Sequence, residues 1–584
     1  MENWVKKRLA LLIDKLDHKP FLFVDAEEVL KEAFGDDTAT VKKVLSELQR
    51  EGVLEVRAVE ADKRKKVYRI LVKENISELV TRGELDTLLK TASNLIRNRV
   101  DYTFLLVLLF YKAISDKWRF QYEETLRKLI EEQGIPREFA EELAQSEIYQ
   151  AFTIPEGYLW QDIMNKPDPV GELLIALKKI AEANPELSGA IDRKEFEDFL
   201  QNSDNRSVII AVMNKFNDID FSQFPTDLLG DAYEFILRNF APEKAKQGEV
   251  YTPREVINLM VDILQPRPGE TVYDPACGSG GMLIAVDRYL KQHYSDEERE
   301  KTELYGQEVN PVTAALARMN LLIHGIDKSR VFIEVGDTLL NPKFREGDTI
   351  KKFDVVIANP PWNLKNTSDK ALKNSPLADE RFKYGYTTKS SADWAWIQHM
   401  LASSTGKNKI AVVFDTGLLF RGNKEKAIRK AVLEEDFIET VILLPEKLFY
   451  NTSAPGVIII LNKNKAEDRK GKVLFINASE LYAPHPTVRK LNTITPEQRA
   501  KIAEHAIEWK EEPHFAKIVD IEEIRKNDYN LSVQRYVFPK IEVEEIDIAS
   551  EWKKIGELTE KENELRQKIE GYLREIGIEL KGGE

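Results

Sequence analysis

Thr271-Val272-Tyr273 reads as a short buried β-strand. Asp274-Pro275-Ala276-Cys277-Gly278-Ser279-Gly280-Gly281 follows at once, and helical periodicity begins at Met282. Three glycines let the backbone approach a ligand closely at a helix N-terminus, where unpaired N–H groups face outward. The loop lacks the Lys-Ser/Thr ending of a phosphate-binding loop and does not match Gly-x-Gly-x-x-Gly, so nucleotide hydrolysis and hydride transfer lose ground. Cys277 lies inside the turn with no histidine near it in sequence, and it reads as a small packing residue rather than a nucleophile.

Working outward, short β-rich runs alternate with helices: Thr271–Tyr273, Leu304–Gln307, Val331–Val335, Phe353–Ala358, Ile410–Phe414, Thr440–Leu444 and Gly456–Leu461. That alternation predicts an α/β fold with a largely parallel, doubly wound, Rossmann-like sheet, whose ligands bind beyond the carboxyl ends of the strands. The second strand ends at Glu308, where a carboxylate can accept both hydroxyls of a ribose or simply be a solvated loop acid. The third ends in Gly336-Asp337, near where an adenine ring would lie.

The fourth strand ends in Asn359-Pro360-Pro361-Trp362. Two prolines after a buried strand fix an extended turn that joins neither ladder nor helix, leaving the Asn359 amide and the Pro360 carbonyl as acceptors facing the pocket. An exocyclic amine on a nucleobase is a poor nucleophile, because its lone pair is delocalised into the ring. Two acceptors gripping its N–H groups favour a more tetrahedral nitrogen, with the lone pair aimed at an electrophilic methyl group. Trp362 can stack on a base extruded from its duplex.

Residues 1–75 read as three helices and a hairpin, Leu54–Val59 and Val67–Val72 joined by a turn containing Lys63-Arg64-Lys65-Lys66. This is the pattern of a winged-helix module, and both DNA contact through that basic turn and a role in protein contacts stay open. Residues 76–240 are almost wholly helical, with Glu84–Arg97, Tyr102–Trp118 and Asp227–Phe240 the clearest amphipathic stretches. The α/β domain is placed at 241–480, a C-terminal extension at 481–546 and an amphipathic helix at 547–584. In that last helix Ile555, Leu558, Leu565, Ile569, Tyr572 and Ile576 follow heptad spacing, interrupted at Glu562. Such a seam either docks on a partner or folds back on its own domain.

The residues from about 84 to 545 resemble the methylation (M) subunit of type I restriction-modification systems. The motifs that carry the likeness are Asp227-Leu228-Leu229-Gly230-Asp231-Ala232-Tyr233-Glu234, Gly248-Glu249-Val250-Tyr251-Thr252-Pro253, the glycine loop, the fourth-strand motif, and Leu444-Pro445-Glu446-Lys447-Leu448-Phe449-Tyr450-Asn451-Thr452. Val250 departs from the family, which more often has an aromatic residue there. The motif order is that of the gamma arrangement of amino-methyltransferases, and the resemblance implies an S-adenosyl-L-methionine-dependent DNA adenine-N6 methyltransferase. Carried over position by position, Tyr251, Thr252 and Pro253 would border the methionine end of the cofactor. Asp274, Ala276, Gly278, Ser279 and Gly280 would cradle it, Glu308 would hold its ribose, Asp337 would meet its adenine, and Asn359 would adjoin it. Asn359, Pro360, Pro361 and Trp362 would form the catalytic motif, with Phe449 or Tyr450 on the other side of the target base. The implied partners are duplex DNA, a specificity (S) subunit docked through the C-terminal helix, a second M subunit in an assembly of two M chains with one S chain and, optionally, a restriction (R) subunit.

Composition bounds these readings. The 584 residues include 85 basic and 99 acidic side chains, a net charge of −14, so phosphate neutralisation is expected to be local or to come from another chain. One cysteine forbids an intrachain disulfide, and the seven histidines show no metal-ligand spacing, so no structural metal is expected. The longest apolar run, Phe104–Phe110, is too short for a membrane span, and the N-terminus has no export signal, which places the chain in the cytoplasm. The rivals are a self-sufficient adenine methyltransferase reading DNA through its winged module, a protein-glutamine methyltransferase, and a DNA-binding regulator on a methyltransferase scaffold. The first lacks a full recognition domain after residue 461. The second usually has Tyr at the position of Trp362, and intact Asp274, Gly278, Gly280, Asn359 and Pro360 argue against the third. The loop 363–391, with Arg381, Lys383, Tyr384 and Tyr386, reads either as a DNA-closing loop or as a disordered insertion. Trp394 and Trp396 read as groove-lining or as core.

Overall fold

The computed structural model describes residues 8, 11–12, 15–16, 21–50, 54–59, 62–70, 76–96, 99–146, 153–222, 224, 228–237, 252–365, 367–450, 452–486, 488–538 and 548–575. Two units separate by contact, residues 1–537 and 538–584.

The larger unit is organised by a nine-stranded sheet. In chain order its strands are β1 Thr271–Asp274, β2 Glu303–Glu308, β3 Val331–Val335, β4 Val355–Ala358, β5 Ile410–Asp415, β6 Ile438–Leu443, β7 Gly456–Leu461, β8 Lys472–Asn477 and β9 Ala516–Asp520. Their order across the sheet is β3-β2-β1-β4-β5-β7-β6-β8-β9. β7 runs antiparallel to both neighbours and β9 antiparallel to β8, while the remaining pairs are parallel. The expected Rossmann-like sheet is therefore present.

Strand order reverses beside β1, where Val272 pairs with Leu304 of β2 on one side and Val355 of β4 on the other. A crevice opens at such a switch point, because the connections leaving the two strands go opposite ways. The loops after β1 and β4, which carry the two motifs singled out above, flank it. β4 is buried along its whole length because helices cover both faces of the sheet. Its alternation splits it between two cores: Val355 and Ile357 pack with helices Arg254–Leu264 and Gly281–His293, and Val356 and Ala358 with helices Asp393–Ala402 and Asn423–Glu434.

The sheet does not stop at residue 480. β9 pairs along β8, and Tyr536 stacks on Phe475 of β8 with ring centroids 4.4 Å apart, so residues 481–537 complete this unit instead of extending beyond it.

The helical region shares a core with the sheet domain. Helix Thr103–Glu131 is buried from Thr103 to Ala113, so the apolar run Phe104–Phe110 is a core segment. Lys112 and Asp116 form a buried ion pair, with Lys112 Nζ donating to the Ile219 carbonyl at 2.8 Å and the Phe221 N–H donating to Asp116 at 2.9 Å. Residues 228–237 are helical, and Leu228, Leu229, Ala232 and Tyr233 pack in the same core as Leu316 and Met319 of helix Pro311–Ile323. Gly230 is required at that contact, since a Cβ there would lie 2.1 Å from the His324 ring.

In the N-terminal module, helices Phe23–Phe34 and Thr38–Arg50 pack with Leu12 over an antiparallel sheet of Phe21–Leu22, Asp62–Ile70 and Leu54–Val59. Lys63, Arg64, Lys65 and Lys66 fall inside the strand Asp62–Ile70 and not in a turn, a correction to the sequence reading. The hairpin pairs Val59 with Asp62; residues 60–61 lie outside the described residues.

In the second unit, Ile548–Glu575 is one helix. Trp552, Ile555, Leu558, Leu565, Ile569 and Tyr572 are each at least half exposed; Ile576, the last residue of the expected seam, lies outside the described residues. No described helix is long and apolar enough to cross a membrane.

Candidate active site

The glycine loop is held in place by the ends of β2 and β3. The Cys277 N–H donates to the Gln307 carbonyl at 3.1 Å and the Gly278 N–H to Glu308 Oε2 at 3.1 Å, while Thr338 Oγ1 donates to the Pro275 carbonyl at 2.6 Å. Asn320, from the helix after β2, donates to the Ser279 carbonyl at 2.9 Å. Gly278 and Gly280 have φ of +51° and +83°, a left-handed region that side chains resist, and a Cβ on Gly278 would meet nothing within 4 Å. The loop is thus pinned from below and open above. Cys277 packs over Gly306, where any Cβ would lie 2.8 Å from its Sγ, and burial pushes the thiol pKa well up. That fits the packing reading.

Glu308 and Asp337 stand at the ends of β2 and β3 as expected. The Glu308 carboxylate ties two backbone groups, Gly278 N–H through Oε2 and Asn310 N–H through Oε1 at 2.9 Å. Asp337 accepts from the Leu340 N–H at 3.0 Å.

Asp274 is buried at the end of β1. Desolvation pushes its carboxyl up to about 8, opposed by the Ala276 N–H at 3.0 Å and reinforced by the charge of Glu308. A cation bound beside it selects the ionised form, so below that value binding must release a proton, and the cost of doing so falls as pH rises. Affinity for a sulfonium ligand should therefore increase from pH 6 to 7.5, by up to about tenfold per unit. Calorimetric titration would show this slope in the native chain and its disappearance in Asp274→Asn; a native affinity independent of pH would refute it.

The residues present suit S-adenosylmethionine. Besides an open glycine cradle and the Asp274 carboxyl, the buried Asn320 Oδ1 beside Ser279 has no hydrogen-bond partner among the described residues, leaving an acceptor for a ligand N–H or O–H. Thr252, Ser279, Gly281 and Asn320 line one narrow cavity. Pro253 immediately precedes helix Arg254–Leu264; Tyr251 lies outside the described residues.

Across the crevice, the Asn359 amide is oriented at both ends. Its Nδ2 donates to Thr252 Oγ1 at 2.7 Å, and its Oδ1 accepts from the Trp362 indole N–H at 2.8 Å. The indole N–H also reaches the Val413 carbonyl of β5 at 3.2 Å. Because Thr252 takes the NH₂ end, the amide oxygen stays on the Trp362 side with one lone pair still free.

Phe449 does not stand opposite Trp362 across a gap for a base. It is buried, lies edge-on to Trp362 with centroids 4.7 Å apart and planes at 68°, and fills the space over Gly456, where a Cβ would come within 2.7 Å of its ring. Phe449 backs the indole, which corrects the expectation; Tyr450 is half-buried.

The loop after β4 is folded, with helices Asp369–Lys373 and Ala378–Arg381. Arg381 is fully buried and cannot reach DNA, while Lys370, Lys373, Lys424, Tyr384 and Tyr386 line an exposed groove. Trp394 and Trp396 belong to the core. Sequence reasoning missed Asn320, and it counted Arg381 among the residues of a DNA-closing or disordered loop, where the structure buries it. An amide in the stretch Ala314–Ile323, where Arg318 is the one other polar residue, was the available signal for the first; the burial of the second had none.

Two family models match the chain, N-6 DNA Methylase over residues 225–545 and HsdM N-terminal domain over 87–216. The chain is 43% identical to the type I restriction enzyme MjaVII methylase subunit of Methanocaldococcus jannaschii, across 99% of this chain and 98% of that protein. It is 44% identical to the MjaVIII methylase subunit of the same organism, over 98% and 97%. Among solved structures, the type I restriction-modification system methyltransferase subunit from Streptococcus thermophilus superposes with a TM-score of 0.67 at 30% identity, covering 78% of this chain and 99% of that one.

Proposed function

The chain belongs to the N-6 DNA methylase family, among the methylase subunits of type I restriction enzymes, and from that premise we propose that it methylates N6 of an adenine flipped out of duplex DNA, with sequence recognition supplied by a specificity subunit. The observation that carries this reading is the Asn359 amide, fixed by Thr252 and Trp362 at the end of β4, across the switch point from the glycine loop.

Asn359 Oδ1 accepts one N6–H of the extruded base and the Pro360 carbonyl the other, which draws the nitrogen toward tetrahedral geometry and directs its lone pair at the cofactor side. Trp362, backed by Phe449, offers the stacking face that replaces the base's neighbours in the duplex. S-adenosylmethionine, when bound by Asp274, Gly278, Asn320 and Glu308, supplies an electrophilic methyl group. A neutral amide suffices as the grip, because the methylated amine becomes acidic enough to release its extra proton to water. Lys370 and Lys373, beside Tyr384 and Tyr386, put cations and aromatic faces on the same edge of the sheet as Asn359, suiting the phosphates and sugars that flank the target.

The exposed apolar side chains of helix Ile548–Glu575 fit docking on helices of the specificity subunit, in an assembly of two such chains with one specificity chain that a restriction subunit can join. Deleting residues 550–584 should abolish co-purification with the specificity subunit while leaving the melting temperature of the rest unchanged. An intact complex would refute this assignment.

The direct test is methyl transfer from labelled S-adenosylmethionine to DNA, with the chain alone and with the specificity subunit encoded beside it. N6-methyladenine formed only with both is expected. Robust sequence-specific transfer by the chain alone would make it self-sufficient, and no transfer in either case would refute the proposal.

A further inference from the structure

The residue that follows the catalytic motif is gripped at every polar atom of its side chain and at its backbone N–H. Asn363 sits at φ +54°, a conformation that costs a non-glycine residue energy unless its surroundings impose it. Its backbone N–H donates to Asp393 Oδ1 at 2.9 Å, its Nδ2 donates to Asp415 Oδ2, and its Oδ1 accepts from Arg421 Nη2.

Arg421 ties these contacts together. Nη1 reaches Asp393 Oδ2 at 2.6 Å, Ser391 Oγ at 3.0 Å and Glu425 Oε2 at 3.4 Å, and Nη2 reaches Asp415 Oδ1 at 2.9 Å. One guanidinium therefore faces three carboxylates, of which Asp393 is fully buried. These come from separate segments: the turn after β4, the start of helix Asp393–Ala402, the end of β5, and the approach to helix Asn423–Glu434. Gly417 leaves the room, since a Cβ there would lie 2.5 Å from Nη2. A half-buried polar network is costly where an apolar contact would serve, and what it provides in return is a single geometry.

We propose that Arg421 is a positioning residue for methyl transfer: by clamping Asn363 it fixes the turn that holds Trp362 against Asn359. The proposal rests on the reading of Asn359 as the group that grips the target amine. Because Trp362 Nε1 bonds Asn359 Oδ1 at 2.8 Å, a shift of the adjoining Asn363 passes directly to the catalytic amide.

The test uses the full chain assembled with its specificity subunit. Arg421→Ala should lower kcat by about 10–100-fold, the cost of misplacing a reacting group by a fraction of an ångström to an ångström, with calorimetric affinity for S-adenosylmethionine within about threefold. Arg421→Lys should restore the melting temperature but little of kcat, because an ammonium cannot bridge Asn363 and two carboxylates in one plane. Added guanidinium should recover part of the activity of Arg421→Ala. Asn363→Ala, which leaves the Arg421 ion pairs intact, should show the same loss in kcat and keeps the test open if Arg421→Ala fails to fold. Unchanged kcat in the folded variants, or a loss that follows the melting temperature and vanishes on cooling, would overturn the proposal. Asn359→Ala run alongside separates the two ideas: if it stays active, the site reading falls and this one with it; if it is dead while Arg421→Ala and Asn363→Ala remain active, only this one falls.

Discussion

Asn359→Ala, in the chain assembled with its specificity subunit, should reduce methyl transfer by at least about 10²–10³-fold, the range seen when one preorganised hydrogen-bonding group is removed from a reacting centre. The variant loses the acceptor that localises the lone pair of the target nitrogen, and it frees the Trp362 indole from one of its two acceptors. Cofactor affinity should change only a few fold, because the glycine loop is pinned by β2 and β3 and does not depend on Asn359. Rates from labelled methyl transfer, set beside calorimetric cofactor binding, check both halves. Substantial residual transfer would mean that the amine is activated by another group, and a parallel loss of cofactor binding would mean that Asn359 serves the cofactor rather than the base.

Arg381→Met should produce the largest loss of stability. The guanidinium is buried among neutral acceptors, donating to the Thr338 carbonyl at 2.6 Å, the Leu339 carbonyl at 3.0 Å, the Pro376 carbonyl at 3.3 Å and His399 Nδ1 at 3.1 Å. With Nδ1 accepting, the neutral ring of His399 carries its proton on Nε2, which faces the Tyr273 hydroxyl at 3.2 Å. Burial, then the charge of Arg381, keeps that histidine far below its ordinary pKa. Burial also pulls Arg381 down to about 10, so the cation is held at a cost. Two effects compete in the substitution. Removing a desolvated charge favours the variant, but the carbonyls and the imidazole nitrogen remain buried with no donor, at about 1–3 kcal/mol each. Several orphaned acceptors outweigh one relieved charge, and the net loss should be on the order of 3–5 kcal/mol. Calorimetry should show the methyltransferase transition falling by roughly 5–10 °C. Since Thr338 and Leu339 directly follow Asp337, cofactor affinity should weaken too. An unchanged melting temperature would show that the acceptors find other donors or water.

Much of this site was legible in the chain because its signals are local. All seven strands expected from alternation exist, within three residues at each end, and the two motifs stand at the ends of β1 and β4 as read. What escaped was set by partners distant in sequence. β8 carries an apolar run, Val473–Ile476, as long as those of strands that were read, and went unread all the same, while β9 has a weaker pattern and becomes a strand through its pairing with β8 at the sheet edge. The basic residues 63–66 looked like a turn because charge clusters in turns, yet they continue the strand Asp62–Ile70, which lies between Phe21–Leu22 and Leu54–Val59. Phe449, or Tyr450, was placed beside the base by the family resemblance alone; only the missing Cβ of Gly456 shows where the Phe449 ring goes.

The α/β class, the glycine cradle, the acceptor turn and the all-helical core around Phe104–Phe110 could each be read from the chain, because glycine, proline and hydrophobic period act through the conformation of the few residues that carry them. The aim of the Asn359 amide could not. That orientation depends on Thr252, 107 residues away, and on the indole that the β5 carbonyl of Val413 steadies. The order in which the strands assemble brings them together, and strand order is a property of the whole packed sheet rather than of any segment within it.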